Sequence, residues 1–262
     1  MKNSQGDCLT RNDTPVCPMC KGTGWTFIDD NTVTECECGL RQRQVLDSKL
    51  RFATIPLTYR NVRIEDISTS YYKSKDNAAA MKANIEFVRR YLDNLDENTA
   101  NGKGLFFWSK TKGSGKTMMA TALANELINR YQRNVKFATS LDILDAIKST
   151  YGKRDSEDTE DTLIKDLVNT EYLIIDDFGT ERNTDWAGEK FYQIVNKRYI
   201  NKKVTFYTSN HNLETLKYDD RITNRIKERS FVLSFPEESV REVKAYMDNI
   251  KVKEKWLSYE NA

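Results

Sequence analysis

What this 262-residue chain lacks narrows its chemistry from the outset. It has one histidine, His211, so neither a histidine-based metal centre nor a histidine triad is available. No stretch approaches the ~18 apolar residues that a membrane span needs. Residues Met1–Asp13 carry no apolar run of the signal-peptide kind, so a cytoplasmic protein with no membrane partner is expected. Charge of one sign is also missing: 41 basic against 39 acidic residues leave a net charge of +2. A nucleic-acid surface would therefore have to be a local patch, not a property of the whole chain. What is present, 39% hydrophobic and 31% charged residues, suits one α/β domain with a wet surface and a small appendage.

Cysteine is absent after position 38, and all five cysteines precede that point. Cys17-x-x-Cys20 and Cys36-x-Cys38 have the paired spacing of four-thiolate zinc sites, with Gly22, Gly24 and Gly39 giving each turn a permissive backbone. Four thiolates surround a tetrahedral Zn2+, and the metal organises a segment too short to bury a core of its own. Two disulfides or free thiols would use the same residues, but a reducing compartment disfavours disulfides. Cys8 is left over as an unligated thiol.

The densest signal lies further along. Gly104–Trp108 reads as a buried strand and runs into Gly113-Ser114-Gly115-Lys116-Thr117, after which Met118–Ala124 reads as a helix. Strand, glycine-bearing loop and helix are the context that a phosphate-binding loop requires, because loop and helix N–H groups converge on a polyanion. Lys116 would meet the outer phosphates of a nucleoside triphosphate and the Thr117 hydroxyl would help hold Mg2+. Lys110 stands where the motif G-x-x-x-x-G-K-[ST] has its first glycine. Downstream, Tyr172–Asp177 is an apolar strand ending in two carboxylates, and such an acid at a strand's end reaches the Mg2+ shell.

Alternating patterns fill the remainder. Helices are expected over Asp76–Leu92, from Ser140 as cap through Ile147, around Leu163–Val168, and through Phe191–Tyr199. Strands are expected at Val135–Ala138, Val204–Thr208 and Phe231–Ser234. Val240, Val243, Met247 and Ile250 recur at helical spacing. The acidic run Asp155–Asp161 reads as a solvated loop. The fold class is therefore α/β: a doubly wound, parallel five-stranded sheet with a small N-terminal zinc module. The expected divisions are a zinc module at 1–46, a linker at 47–75 that packs on the next domain, and a P-loop ATPase domain at 76–262. Room for a strand between the phosphate loop and the acidic strand brings Thr208-Ser209-Asn210 to the γ-phosphate, where Asn210 could orient the attacking water. Phe137 and Tyr207 read as core and not as base-stacking platforms.

These motifs, in this order, resemble the AAA+ ATPases, and more narrowly the DnaC/DnaI-type replicative helicase loaders, with IstB-type transposition helpers nearby. Leu173–Gly179, Thr208-Ser209-Asn210 and Asp220–Ile226 carry the resemblance together with the phosphate loop. The N-terminal Cys17-Pro18-Met19-Cys20-x-Gly22-x-Gly24-Trp25 matches the zinc module of such loaders. The resemblance implies Gly113, Ser114, Gly115, Lys116 and Thr117 at the phosphates and Asp176 at the metal. It further implies Asp177 as the residue that polarises the water, Asn210 as first sensor and Arg225 as an arginine finger reaching a neighbouring subunit. Arg221 and Arg229 are rivals for that last role, and Arg241 stands where a second sensor would.

The function so implied is an ATP-dependent loader that delivers a hexameric replicative helicase onto single-stranded DNA, assembling as a homo-oligomer when ATP is bound. Partner binding falls to the zinc module and DNA contact to the ATPase core. Asp177 is one methylene shorter than the glutamate commonly used as base, which implies slow, switch-like hydrolysis. Alternatives are an IstB-like transposase helper, which the metal-ordered module disfavours, a nucleotide-switched adaptor with little hydrolysis, and a small-molecule P-loop kinase.

Overall fold

The computed structural model describes residues 17–29, 32–151, 159–182 and 184–259. Cys8 and the acidic residues 155–158 lie outside them. Two compact units divide the chain, residues 1–48 and 49–262.

In the first unit, strands β1 (Trp25–Asp29) and β2 (Thr32–Glu35) form an antiparallel hairpin. The turn before it is closed by Lys21 N–H to the Cys17 carbonyl at 2.8 Å and Thr23 N–H to the Cys20 carbonyl at 2.9 Å. Gly22, Gly24 and Gly39 all adopt left-handed backbone, with φ of 83°, 78° and 69°. Phe27 and Ile28 stay largely exposed, and among the described residues here the only buried side chains are Cys20 and Cys36. Helix α1 (Leu40–Ala53) contains the boundary between the units.

The second unit is built on strands β3 (Gly104–Trp108), β4 (Val135–Thr139), β5 (Tyr172–Asp176), β6 (Val204–Ser209) and β7 (Ser230–Ser234). They pair in the order β4-β5-β6-β3-β7, all parallel. β5 and β6 are buried along their whole length, as parallel strands covered on both faces must be. Alternate residues point to opposite faces. Phe106, Leu173, Ile175 and Tyr207 meet the apolar stripes of α5 (Ser140–Ser149), α6 (Glu160–Asn169), α7 (Asp185–Ile200) and α8 (Asp220–Arg229). On the other face Phe206 meets Tyr91 of α2 (Lys75–Asp93) edge-on at 5.8 Å and stacks on Tyr172 at 6.1 Å. Helix α4 (Lys116–Asn129) also packs on the strands, while α3 (Leu95–Ala100) precedes β3 and α9 (Val240–Tyr259) follows β7. At Gly104 a Cβ would approach the Thr205 carbonyl oxygen to 1.9 Å, so β3 and β6 can lie together only with glycine there. Phe137 and Tyr207 are core residues, 4% and 3% exposed.

Two expectations need correction. Helix α5 is capped by Thr139, whose hydroxyl accepts from Asp142 N–H at 3.0 Å, because the Ser140 hydroxyl is committed to the Asp177 carbonyl at 3.0 Å. Glu160 and Asp161, read as loop, form the first turn of α6 behind its cap Thr159, where acidic side chains suit the helix dipole.

Residues 49–75 pack on the core. Short 3-10 turns at Leu57–Tyr59, Ile64–Asp66 and Thr69–Tyr71 make up much of this strap. Asn125 of α4 pins it by donating to the Tyr59 and Val62 carbonyls, both at 2.8 Å.

One buried cation ties α6 to the sheet. Arg198, 1% exposed, donates from Nη1 to the carbonyls of Leu167, Val168 and Thr170, and from Nε to Thr205 Oγ1 at 2.9 Å. Burial pushes its pKa down to about 9, so it stays charged at neutral pH and its donors close the C-terminal end of α6. Arg198→Ala would leave those acceptors unpaired and should cost about 3–5 kcal/mol in urea unfolding. Arg198→Lys, with fewer donors in a different geometry, should recover less than half of that loss.

Candidate nucleotide site

β3 delivers the chain into the loop 109–115, and Gly115 forms the N-cap of α4 with φ 97°. Helices α2, α5, α6, α7 and α8 are each capped by a side chain, from Ser74, Thr139, Thr159, Thr184 and Asp219. α4 has no such cap, so its first N–H groups and the positive end of its dipole face outward for an anion. Gly113, φ 79°, is needed for space as well as conformation: a Cβ there would meet Ser239 Oγ at 2.8 Å and Arg241 Cβ at 3.0 Å. Lys110 is not among the residues with left-handed backbone, so no glycine is required at that position. The Glu237 carboxylate holds this half of the loop, accepting from Lys110 N–H at 2.9 Å and Thr111 N–H at 2.8 Å.

Lys116 is buried, and its Nζ donates to the Ser109 carbonyl at 3.2 Å, the Thr111 carbonyl at 3.0 Å and Ser114 Oγ at 3.2 Å. Burial lowers its pKa, while the charges of Asp177, Glu237 and Asp176 pull the other way.

β6 lies between β3 and β5, so the ends of all three strands meet at one edge. There Asp176, 5% exposed, accepts from Thr117 Oγ1 at 3.0 Å and from Thr208 Oγ1 at 2.5 Å. Thr208 Oγ1 also accepts from Asp177 N–H at 2.9 Å, which fixes the left-handed turn (φ 54°) that swings Asp177 out. Burial raises the Asp176 pKa; the Thr208 hydroxyl opposes that and the neighbouring Asp177 charge adds to it. Thr117 and Asp176 thus offer hard oxygen ligands side by side, the donor set that suits Mg2+.

A cavity of about 510 Å3 opens over the loop. Its floor is Gly113–Thr117, Asp177 and Asn210 border it, and Arg241 and Lys244 add positive charge from α9. Thr58, Tyr59, Ile67 and Tyr71 of the strap also line it and add a more apolar surface. The cavity and the uncapped helix end fit a nucleoside triphosphate.

Sequence reasoning missed three residues. Tyr72 donates its hydroxyl to the Ser114 carbonyl at 3.0 Å and is pushed up to about 12 by burial and the Glu238 charge. Glu238 accepts from Lys73 N–H at 2.6 Å and Asn77 Nδ2 at 2.9 Å, so Glu237 and Glu238 bind loop and strap to one segment. No motif marks them, although two adjacent carboxylates after a core strand are a weak signal. Arg225 does not line this cavity. It is half-buried on α8, donating to Asn196 Oδ1 at 2.8 Å.

In the first unit Cys17, Cys20, Cys36 and Cys38 are free thiols whose sulfur atoms all lie within 4.8 Å of one another. Tetrahedral Zn2+ with bonds of about 2.3 Å requires sulfurs about 3.8 Å apart. Cys17–Cys36 and Cys20–Cys38 are 3.8 Å and 3.7 Å apart, so the cluster fits the ion.

Comparison with known proteins decides the family. The family described as IstB-like ATP binding protein matches residues 27–244. The chain belongs to that family. This IstB-like protein is 33% identical over 142 residues to the replicative helicase loader DnaC of Escherichia coli (strain K12), a match covering 53% of the chain and 55% of that loader. It therefore spans about half the length of the relatives it first matches. It is 24% identical over 221 residues to the phage-like element PBSX protein XkdC of Bacillus subtilis (strain 168), covering 81% of the chain and 78% of XkdC. Among solved structures, the DnaC helicase loader superposes with a TM-score of 0.56 at 24% identity, covering 69% of the chain and 100% of that structure. AMPPCP-bound DnaA from Aquifex aeolicus gives 0.55 at 19%, covering 76% and 56%. These superpositions establish the fold alone, a parallel α/β sheet with a phosphate loop after β3. Among the described residues no helix is long and apolar enough to cross a membrane.

Asp176→Asn keeps an acceptor oxygen for Thr117 and Thr208 but removes the buried charge. Because the carboxyl's pKa is raised on folding, the ionised form costs stability above that pKa, and the cost is relieved as pH falls through it. The variant should therefore unfold at higher urea than wild type at pH 7, by about 1 kcal/mol, with the difference shrinking on acidification. A less stable Asp176→Asn would sink this account.

Proposed function

We propose that this IstB-like protein is an ATP hydrolase that loads a replicative ring helicase onto single-stranded DNA. The hydrolytic part is carried by one observation, the Thr117–Asp176–Thr208 hydroxyl brace beside Asp177 and Asn210. The loading part is supported by the similarity to DnaC, with the four-cysteine cluster in the same chain favouring a loader over a transposase helper.

Lys116 exchanges its loop oxygens for the outer phosphate oxygens, and the loop N–H groups with the α4 N-terminus carry the remaining phosphate charge. Thr117 and Asp176 would hold Mg2+, which on binding neutralises charge developing on the β- and γ-phosphate oxygens. Asn210 orients the attacking water, and Asp177 accepts its proton at the carboxylate. The short reach of Asp177 makes hydrolysis slow. Arg225 acts on the site of a neighbouring subunit in an ATP-bound homo-oligomer, where an arginine is worth roughly 10³–10⁵ in rate. Cys17, Cys20, Cys36 and Cys38 hold Zn2+, and the module they organise binds the helicase.

Lys116→Ala should lose ATP binding, measured with a fluorescent nucleotide, by at least 100-fold, roughly the loss of one charged phosphate contact in a desolvated site. Steady-state turnover with and without single-stranded DNA tests the reading. Bound ATP with no turnover in either condition would mean a nucleotide-switched adaptor instead. Capture of a hexameric replicative helicase by the purified chain tests the partner. A Cys17→Ser, Cys20→Ser variant should carry no zinc by elemental analysis, while ATP binding by the second unit persists. Unchanged zinc content would remove the metal from the account.

A further inference from the structure

The arginines of α8, Arg221, Arg225 and Arg229, recur every fourth residue and so share one face of the helix. They interleave with two tyrosines of α7. Arg221 lies 4.7 Å from the Tyr192 ring centroid and Arg229 lies 5.0 Å from that of Tyr199. Arg225 lies between the rings, 5.3 Å from Tyr192 and 5.6 Å from Tyr199. The three guanidinium groups are nonetheless engaged differently.

Arg221 is neutralised by a two-point pairing with Asp219, Nε to Oδ1 at 2.9 Å and Nη2 to Oδ2 at 3.0 Å. Arg229 is turned back toward its own sheet, donating from Nη1 to the Asn101 carbonyl at 2.8 Å, with its Nε enclosed. Arg225 has only neutral partners among the described residues. Its Nε donates to Asn196 Oδ1 at 2.8 Å and its Nη1 to the Arg221 carbonyl at 2.7 Å. The two contacts fall on different edges of the planar group, which fixes its orientation, and they leave Nη2 without a partner among the described residues. The charge is thus held rigidly by neutral hydrogen-bond partners, and Asp219, which is already paired with Arg221, feels it only through space.

We propose that Asn196, Tyr192 and Tyr199 are positioning residues that single out Arg225 from the three arginines and aim its Nη2 edge at a neighbouring subunit's triphosphate. The proposal rests on the hydrolytic reading above. Two aromatic rings and one amide restrict the side chain before assembly, so little rotamer freedom is lost when the phosphate is met. A neutral amide suits this task better than a carboxylate, which would compete with the phosphate for the same charge.

The test measures magnesium-ATP turnover by the full chain with saturating oligothymidylate, using Arg225→Ala as reference. Asn196→Leu should lower kcat about 100-fold, the scale of a catalytic group misplaced by an ångström, with affinity for a fluorescent ATP analogue unchanged. Asn196→Asp, which keeps the acceptor oxygen but adds a competing charge, should turn over faster than Asn196→Leu and slower than wild type. Mixing Asn196→Leu with Lys116→Ala should regain activity, because the Lys116→Ala subunits still present a well-held Arg225. Should Asn196→Leu fail to fold, Tyr199→Leu against Tyr199→Phe poses the same contrast, with loss expected only when the ring is removed. Wild-type turnover by Asn196→Leu while Arg225→Ala is inactive overturns the positioning role, as does failure of the mixture to recover. Full turnover by Arg225→Ala, or none by the wild-type chain, defeats the trans-acting arginine itself and the proposal with it.

Discussion

A single threonine hydroxyl holds the chemistry together. Thr208 Oγ1 gives its proton to Asp176 and takes the N–H of Asp177, so one atom fixes both carboxylates at the end of β5. β6 is inserted in the sheet, pairing with β5 on one side and with β3 on the other, so the braced carboxylates come to the same sheet edge as the loop that follows β3. The insertion in turn depends on Gly104, where a side chain would collide with the Thr205 carbonyl. A glycine without any visible chemistry is therefore a condition for bringing the carboxylate pair beside the phosphate loop.

The site carries an internal cost. Asp176 is an acid that burial makes reluctant to ionise, and Lys116 is a base that burial makes reluctant to protonate. Each is held by hydrogen bonds from or to neutral groups, so neither depends on the other for its place. Such a site is stressed without being loose, and on the proposed reading a triphosphate with its cation would satisfy both groups at once. The four cysteines solve a different problem. Their hairpin exposes Phe27 and Ile28 and buries little beyond Cys20 and Cys36, so cohesion in that unit falls to the sulfur cluster.

Much of this was legible in the residues because it is written as local pattern. Apolar runs ending in Asp176 and Ser209 mark buried parallel strands, and Gly115-Lys116-Thr117 after β3 announces the loop. The interval between phosphate loop and acidic strand correctly left room for an inserted strand. Other features are not local. Tyr72 and Ser114 meet only after the strap folds back, and Glu237 reaches Lys110 across more than a hundred residues of chain. The Thr139 cap was misread for a smaller reason: adjacent Thr139 and Ser140 are both good caps, and the choice depends on Asp177 claiming the serine. The asymmetry among the three α8 arginines was equally invisible, since identical residues at identical spacing differ only in what Asp219, α7 and Asn101 offer them.

The start of α9 is coupled mechanically to the phosphate loop. Val240 and Arg241 both donate their backbone N–H to the Gly113 carbonyl, at 3.0 Å and 3.3 Å, so the helix is fastened to the middle of the phosphate loop by its first turn. Beyond that turn α9 is mostly exposed, with Tyr246 and Trp256 turned to solvent. Among the described residues this long arm is gripped near its root, so it acts as a tiller: a force on its far end would bear directly on the peptide unit of Gly113.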